Sequence, residues 1–150
     1  MKKISVIGAG TMGTGIAQVA ATHGCNVNLI DSVPDALDRS KSKLNSVFKR
    51  LIEKGNLSEK ASKNILSKIK WSISMEDIKD SELVIEAVIE NLEVKQKIFN
   101  QIESLAPNNC IKATNTSSLS VTKISSACSN PSRVLGIHFF NPVPLMKLVE

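Results

Sequence analysis

The run KISVIGAGTMGTGIAQ, from Lys3 to Gln18, leaves this chain few folds to choose from. Ile4 to Gly8 is a short apolar, β-branched stretch ending in glycine, which reads as a buried parallel strand. A helix is predicted from about Met12 to Thr22, stopped by Gly24. NVNLID, Asn26 to Asp31, reads as a second strand. Strand, helix and strand thus follow one another at the spacing of a βαβ unit.

Between the first strand and its helix lies GAGTMG, Gly8 to Gly13, a GxGxxG turn in the context that its mechanism requires. Gly8 permits the tight turn, Gly10 lets backbone approach a pyrophosphate, and Gly13 lets helix and strand pack closely. Ala9, Thr11 and Met12 share the turn and belong to the same expected cofactor contact. The helix N-terminus offers unpaired N–H groups to phosphate. Asp31 ends the second strand, eighteen residues after Gly13. A carboxylate there can accept both ribose hydroxyls of an adenosine and repels a 2′-phosphate, which favours NAD over NADP. The alternatives are a glycine turn that only packs, and an ordinary strand-end aspartate.

The remaining chain keeps the alternation. Pro34 suits a helix start, and Leu37, Leu44, Val47, Phe48, Leu51 and Ile52 recur at helical spacing up to Gly55. Ser58 reads as the N-cap of a further helix carrying Ala61, Ile65, Leu66 and Ile69. A helical hairpin is therefore inserted before the third strand, predicted at Trp71 to Ser74. Leu83 to Val88, Cys110 to Thr114 and Val134 to Phe139 are three more predicted strands. Helices are predicted over Leu92 to Leu105 and near Val121 to Ala127, and a last strand starts at Met146. The expected class is α/β: a Rossmann-type doubly wound, mostly parallel sheet with helices on both faces.

Composition narrows the partners. A 150-residue chain with 42% apolar residues can bury a sizeable core as one domain, residues 1–150. Aromatics are only 3%, with no Tyr, a poor supply of stacking platforms for single-stranded nucleic acid. The net charge of +5 suits an acidic small molecule as well as nucleic acid, and no nucleic-acid motif accompanies it. Three cysteines without CxxC spacing fit neither a disulfide framework nor a metal site, so a reducing cytoplasm is expected. No apolar run is long enough to span a membrane.

Four segments, GAGTMG, VIEAVIENLEVK, TNTSSLSVT and HFFNPVPLMKLVE, occur in the order found in the 3-hydroxyacyl-CoA dehydrogenases, and the whole chain resembles that family, the bacterial 3-hydroxybutyryl-CoA dehydrogenases above all. HFFNPVP is the most specific of them. The resemblance implies NAD (NADH) as cofactor and an acyl-CoA as substrate. It also implies that His138 is the general acid/base, with Glu150 pairing its other ring nitrogen to fix the tautomer. Ser117 matches a serine that touches substrate beside the nicotinamide; it could equally cap the following helix. Asn115 and Asn141 fall in motifs at the same edge. Glu90 and Lys95 match positions near the nicotinamide ribose, the alternative being a solvated pair at helical spacing. Glu86 is set aside in favour of Glu90, which lies beyond the strand's carboxyl end. Lys54 matches a lysine associated with CoA, in a hairpin rich in lysine.

The family pattern continues past Glu150 into a helical domain that makes a homodimer or higher assembly and supplies a substrate asparagine. The expectation is a Rossmann domain that binds NAD but turns over poorly without that domain.

Overall fold

The computed structural model describes residues 2–150. Six strands form one sheet: β1 Lys3–Ile7, β2 Asn26–Ile30, β3 Ile69–Ser72, β4 Leu83–Glu86, β5 Ile111–Thr114 and β6 Val134–Gly136. Their order is β3-β2-β1-β4-β5-β6, and every pairing is parallel. The helices are α1 Thr11–Thr22, α2 Pro34–Glu53, α3 Glu59–Ser67, α4 Leu92–Leu105 and α5 Val121–Ser125. The expected class is what forms, with the sheet wholly parallel.

Apolar side chains leave both faces of the sheet, so each strand reads as an almost unbroken apolar run. On one face Val6, Leu29 and Ile85 pack with Ile16 of α1 and with Leu44 and Phe48 of α2. On the other face Ile7, Ile30 and Val84 pack with Phe99 and Ile102 of α4 and Ile124 of α5. Phe99 and Ile102 stand three residues apart on one stripe of α4 and are fully buried. Burying a phenylalanine side chain contributes about 1.5–3 kcal/mol. Ser58 caps α3 as its position suggests, accepting from the Ala61 N–H. Trp71 of β3 lies under α2, with the Lys41 ammonium 5.6 Å from its ring centroid.

Register decides where function can sit. Ile7 pairs with Ile30 and with Glu86, Glu86 with Thr114, and Thr114 with Gly136. These strands therefore finish together, and the turns that follow them crowd one edge. The chain order reverses between β1 and β4, the place where an open α/β sheet leaves a crevice.

Several boundaries differ from expectation: β4 ends at Glu86 rather than Val88 and α5 at Ser125 rather than Ala127. The third strand runs over Ile69–Ser72 rather than Trp71 to Ser74. Its pairing with β2 buries Ile69, which the helical pattern had assigned to α3, and leaves Ile73 outside as Ser74 starts a 3-10 turn. β6 stops at Gly136 rather than Phe139, because β5 ends at Thr114 and has no backbone left to pair. No strand starts at Met146; the segment makes one antiparallel bridge, Phe139 with Val149.

Candidate active site

The glycine turn is built by exclusion. Gly8 has a φ of +104°, and a Cβ there would come 2.7 Å from the Ala87 carbonyl oxygen. A Cβ on Gly13 would lie 1.8 Å from the Gly8 carbonyl oxygen. These two glycines are required by the protein's own packing. Gly10 is different: a Cβ on it would meet nothing within 4 Å. Gly10 is also the N-cap of α1, with no side chain capping the helix and no acid in its first turn. The first-turn N–H groups face open space, a ready anion site.

Asp31 closes the turn from β2. The Ala9 N–H donates to its Oδ2 (2.8 Å) and the Val33 N–H to its Oδ1 (3.0 Å). Each oxygen retains acceptor capacity. The carboxylate opens on a small recess of about 140 Å³ whose apolar walls include Ile30, Ile73, Met75 and Ile98. Sequence reasoning missed those walls, since β3 was placed two residues late and Ile98 is one of many apolar residues in its helix. Open space above Gly10, an uncapped helix and a carboxylate with spare acceptor capacity beside an apolar recess together fit an adenine dinucleotide.

A second cleft, of about 330 Å³, adjoins the turn at Met12 and gathers Glu90, Asn115, Ser117, His138 and Asn141. His138 stands on irregular backbone after β6. Its N–H donates to the Glu150 carbonyl (2.7 Å), and the Glu150 N–H donates to the His138 carbonyl (3.0 Å). The returning segment thereby sets Glu150 Oε2 3.1 Å from His138 Nδ1. Nε2 has no protein partner among the described residues, and Phe140 packs against the ring at 4.5 Å between centroids. The Asn115 side-chain oxygen accepts the Phe139 N–H (2.9 Å), tying this segment to the exit of β5.

Glu86, Lys95 and Glu90 form a chain of charges under the cleft. The Lys95 ammonium is fully buried and donates to both Glu86 oxygens (2.7 and 2.9 Å). Thr114 Oγ1 and the Val88 N–H donate to the same carboxylate at 2.7 Å each. Lys95 also lies 3.3 Å from Glu90 Oε2. Burial raises the Glu90 pKa, but the Thr116 hydroxyl, Lys95 and the Ser118 hydroxyl outweigh it and hold it at about 2. A solvated pair is therefore not what Lys95 makes. Glu86, set aside in the sequence, is its main partner. The signal was present: one carboxylate inside the apolar strand LVIEAV must find a cation.

Lys54 is not brought to this cleft. It is the exposed C-cap of α2. A larger apolar groove of about 510 Å³ runs between α1 and α2 and meets the cleft at Asn141. Among the described residues no helix is long and apolar enough to cross a membrane.

Relatives share both sequence and fold. The chain is 43% identical over 148 residues to the 3-hydroxybutyryl-CoA dehydrogenase of Clostridioides difficile, covering 99% of this chain and 53% of the relative. It is 41% identical over 156 residues to the mitochondrial hydroxyacyl-coenzyme A dehydrogenase of Rattus norvegicus, of which it covers 50%. The crystal structure of (S)-3-hydroxybutyryl-CoA dehydrogenase from Ralstonia eutropha superposes with a TM-score of 0.96 at 43% identity, over 99% of this chain and 53% of that one. The chain thus spans about half the length of the curated relatives it matches. The family described as 3-hydroxyacyl-CoA dehydrogenase, NAD binding domain, matches residues 3–150, and the chain belongs to it.

Proposed function

We propose that this chain carries the cofactor site and the acid/base of an NAD-dependent L-3-hydroxyacyl-CoA dehydrogenase, with short-chain substrates such as 3-hydroxybutyryl-CoA. The observation that carries the reading is the His138–Glu150 pair opening on the same cleft as Ser117 and the glycine turn. Oxidising a secondary alcohol removes a proton from oxygen and a hydride from carbon. NAD, when bound, accepts the hydride. Nε2 of neutral His138 accepts the proton, and Glu150 on Nδ1 holds the ring's tautomer and favours the imidazolium as it forms. In the reverse direction the imidazolium returns its proton to the ketone oxygen.

Other residues hold the reactants. The Ser117 hydroxyl, without a protein partner among the described residues, lines the cleft and in this reading binds the reacting oxygen. The N–H groups at Gly10 to Gly13 hold the pyrophosphate, and Asp31 holds the adenosine ribose. Glu90, Lys95, Asn115 and Asn141 line or support the nicotinamide end. Lys54 and its basic neighbours offer charge to the phosphates of CoA. The same reading extends to a homodimer for the full-length enzyme.

Titration with NADH, and with NADPH in parallel, followed by addition of acetoacetyl-CoA tests this. NADH should bind well and NADPH weakly. In the full-length enzyme, His138→Gln should lower the rate of acetoacetyl-CoA reduction by roughly two to four powers of ten while NADH affinity barely changes. An unchanged rate would remove His138 from the chemistry. Turnover of 3-hydroxybutyrate as readily as of its CoA ester would remove CoA from the substrate.

A further inference from the structure

α1 holds an interior glycine that the cofactor turn does not account for. Gly15 stands four residues past Thr11, about one turn into the helix, and is buried. Glycine weakens a helix interior relative to alanine, so the position calls for a packing reason. A Cβ there would come 2.9 Å from Val143 Cβ and 3.1 Å from its Cγ2, with Pro144 Cδ at 3.7 Å. The bare backbone of α1 is therefore the seat of the Val143 side chain.

Val143 is the one buried residue between His138 and Glu150. At 5% exposure it joins the core cluster that holds Val6 and Ile16. The Leu145 and Met146 N–H groups both donate to the Pro142 carbonyl (2.9 and 3.1 Å) and fold the backbone around it. On either side of this turn the chain runs back to the reciprocal bonds between His138 and Glu150. The segment is thus a loop closed at its base by those bonds and pinned at its tip by one valine.

We infer that the Val143–Gly15 contact is a positioning element for the His138–Glu150 pair: it seats the loop on α1 and so fixes the imidazole relative to the cofactor end of the same helix. The inference rests on the reading of His138 as the acid/base. α1 has no room to give way, because Ile16 and Ala17 are buried in the core and Gly13 lies against the Gly8 carbonyl. The loop has room, since every residue of 141–150 except Val143 is exposed. A methyl at position 15 therefore displaces the loop, and an alanine at position 143 releases it.

The test uses the full-length enzyme and two opposite changes, Gly15→Ala, which pushes the pin out, and Val143→Ala, which shortens it. Amide hydrogen exchange is read first, without any ligand. In both variants the His138 and Glu150 amides should exchange about tenfold faster or more, while the Val6 and Leu29 amides of β1 and β2 stay protected. The rate of acetoacetyl-CoA reduction should fall about tenfold in each, with NADH affinity within about threefold of the parent. Added to His138→Gln, either change should cost no further rate, because it acts through the imidazole. Full additivity there would overturn the inference, since it would reveal a role apart from His138. Unchanged exchange at His138 and Glu150 in both variants would overturn it too, as would parent amides no better protected than those of an open loop. So would a large loss of NADH affinity with the pair still protected, which would make Gly15 a part of the cofactor turn alone. If His138→Gln itself left the rate unchanged, the proposed function would fall, and the exchange data would still decide whether Val143 holds the pair.

Discussion

Two halves of the cleft are built on different principles. The cofactor side, from β1 through Asp31, is backbone held by a parallel ladder on both sides, with α1 packed across it. The other side, from His138 to Glu150, which we propose carries the base, leaves the sheet altogether. One bridge, a reciprocal pair of backbone bonds, the Asn115 side chain and the Val143 side chain buried in the core hold it, while Leu145, Met146 and Leu148 stand exposed. The first half is shaped wherever the sheet folds. The second depends on a few side chains, so its geometry can be lost while the domain stays folded.

The buried ion pair joins α4 to β4, the strand between β1 and β5, and breaking it should have the largest effect. Lys95→Met leaves Glu86 buried without its cation, which costs about 3–5 kcal/mol. Urea unfolding should show the loss, and a second change, Glu86→Leu, should restore much of it. If Lys95→Met alone were neutral, the pair would not be what joins α4 to β4. Within the cofactor side the two glycines sharpen the contrast. Gly13→Ala forces a Cβ into the Gly8 carbonyl and should cost about 3 kcal/mol, since backbone has no room to give. Gly10→Ala meets open space and should cost under about 1 kcal/mol, yet weaken NADH binding. Equal stability of the two variants would contradict the packing that separates them.

A modest effect lies on the approach to β6. Glu103 of α4 accepts the Ser129 N–H (2.6 Å), the Asn130 N–H (3.0 Å) and the Lys112 ammonium (3.2 Å). The Asn130 and Ser129 backbone donors, then Lys112, bring its pKa down from 4.5 to about 2. A depressed carboxylate stabilises the fold above its unfolded pKa, and the contribution is lost as pH falls from about 4.5 toward 2. Glu103→Gln should remove about 1 kcal/mol at neutral pH and flatten the acid limb of stability over that window.

What could be read in advance follows the same division. The strand–turn–helix unit was legible because the three glycines, the apolar run and Asp31 are local and each has a backbone reason. The doubly wound α/β class followed from alternation of elements, whereas the order β3-β2-β1-β4-β5-β6 is a finding of the structure. The offset of β3 was not legible, since IKWS and WSIS alternate equally well and only pairing with β2 chooses between them. The last segment reads as a strand from its apolar residues, but a strand needs a neighbour, and β5 has already ended. Glu86 was passed over because burial of a charge is a tertiary fact; the lysine that makes it tolerable lies nine residues away in the next helix.

One consequence follows from the common finishing line of the strands. Every turn that touches the cleft emerges from their carboxyl ends, so the opposite rim is spare. Asn108, exposed in the turn that leads into β5, lies on that rim. A fluorophore, a surface tether or a fused protein attached there would leave the chemistry untouched and hold every molecule with its cleft facing outward.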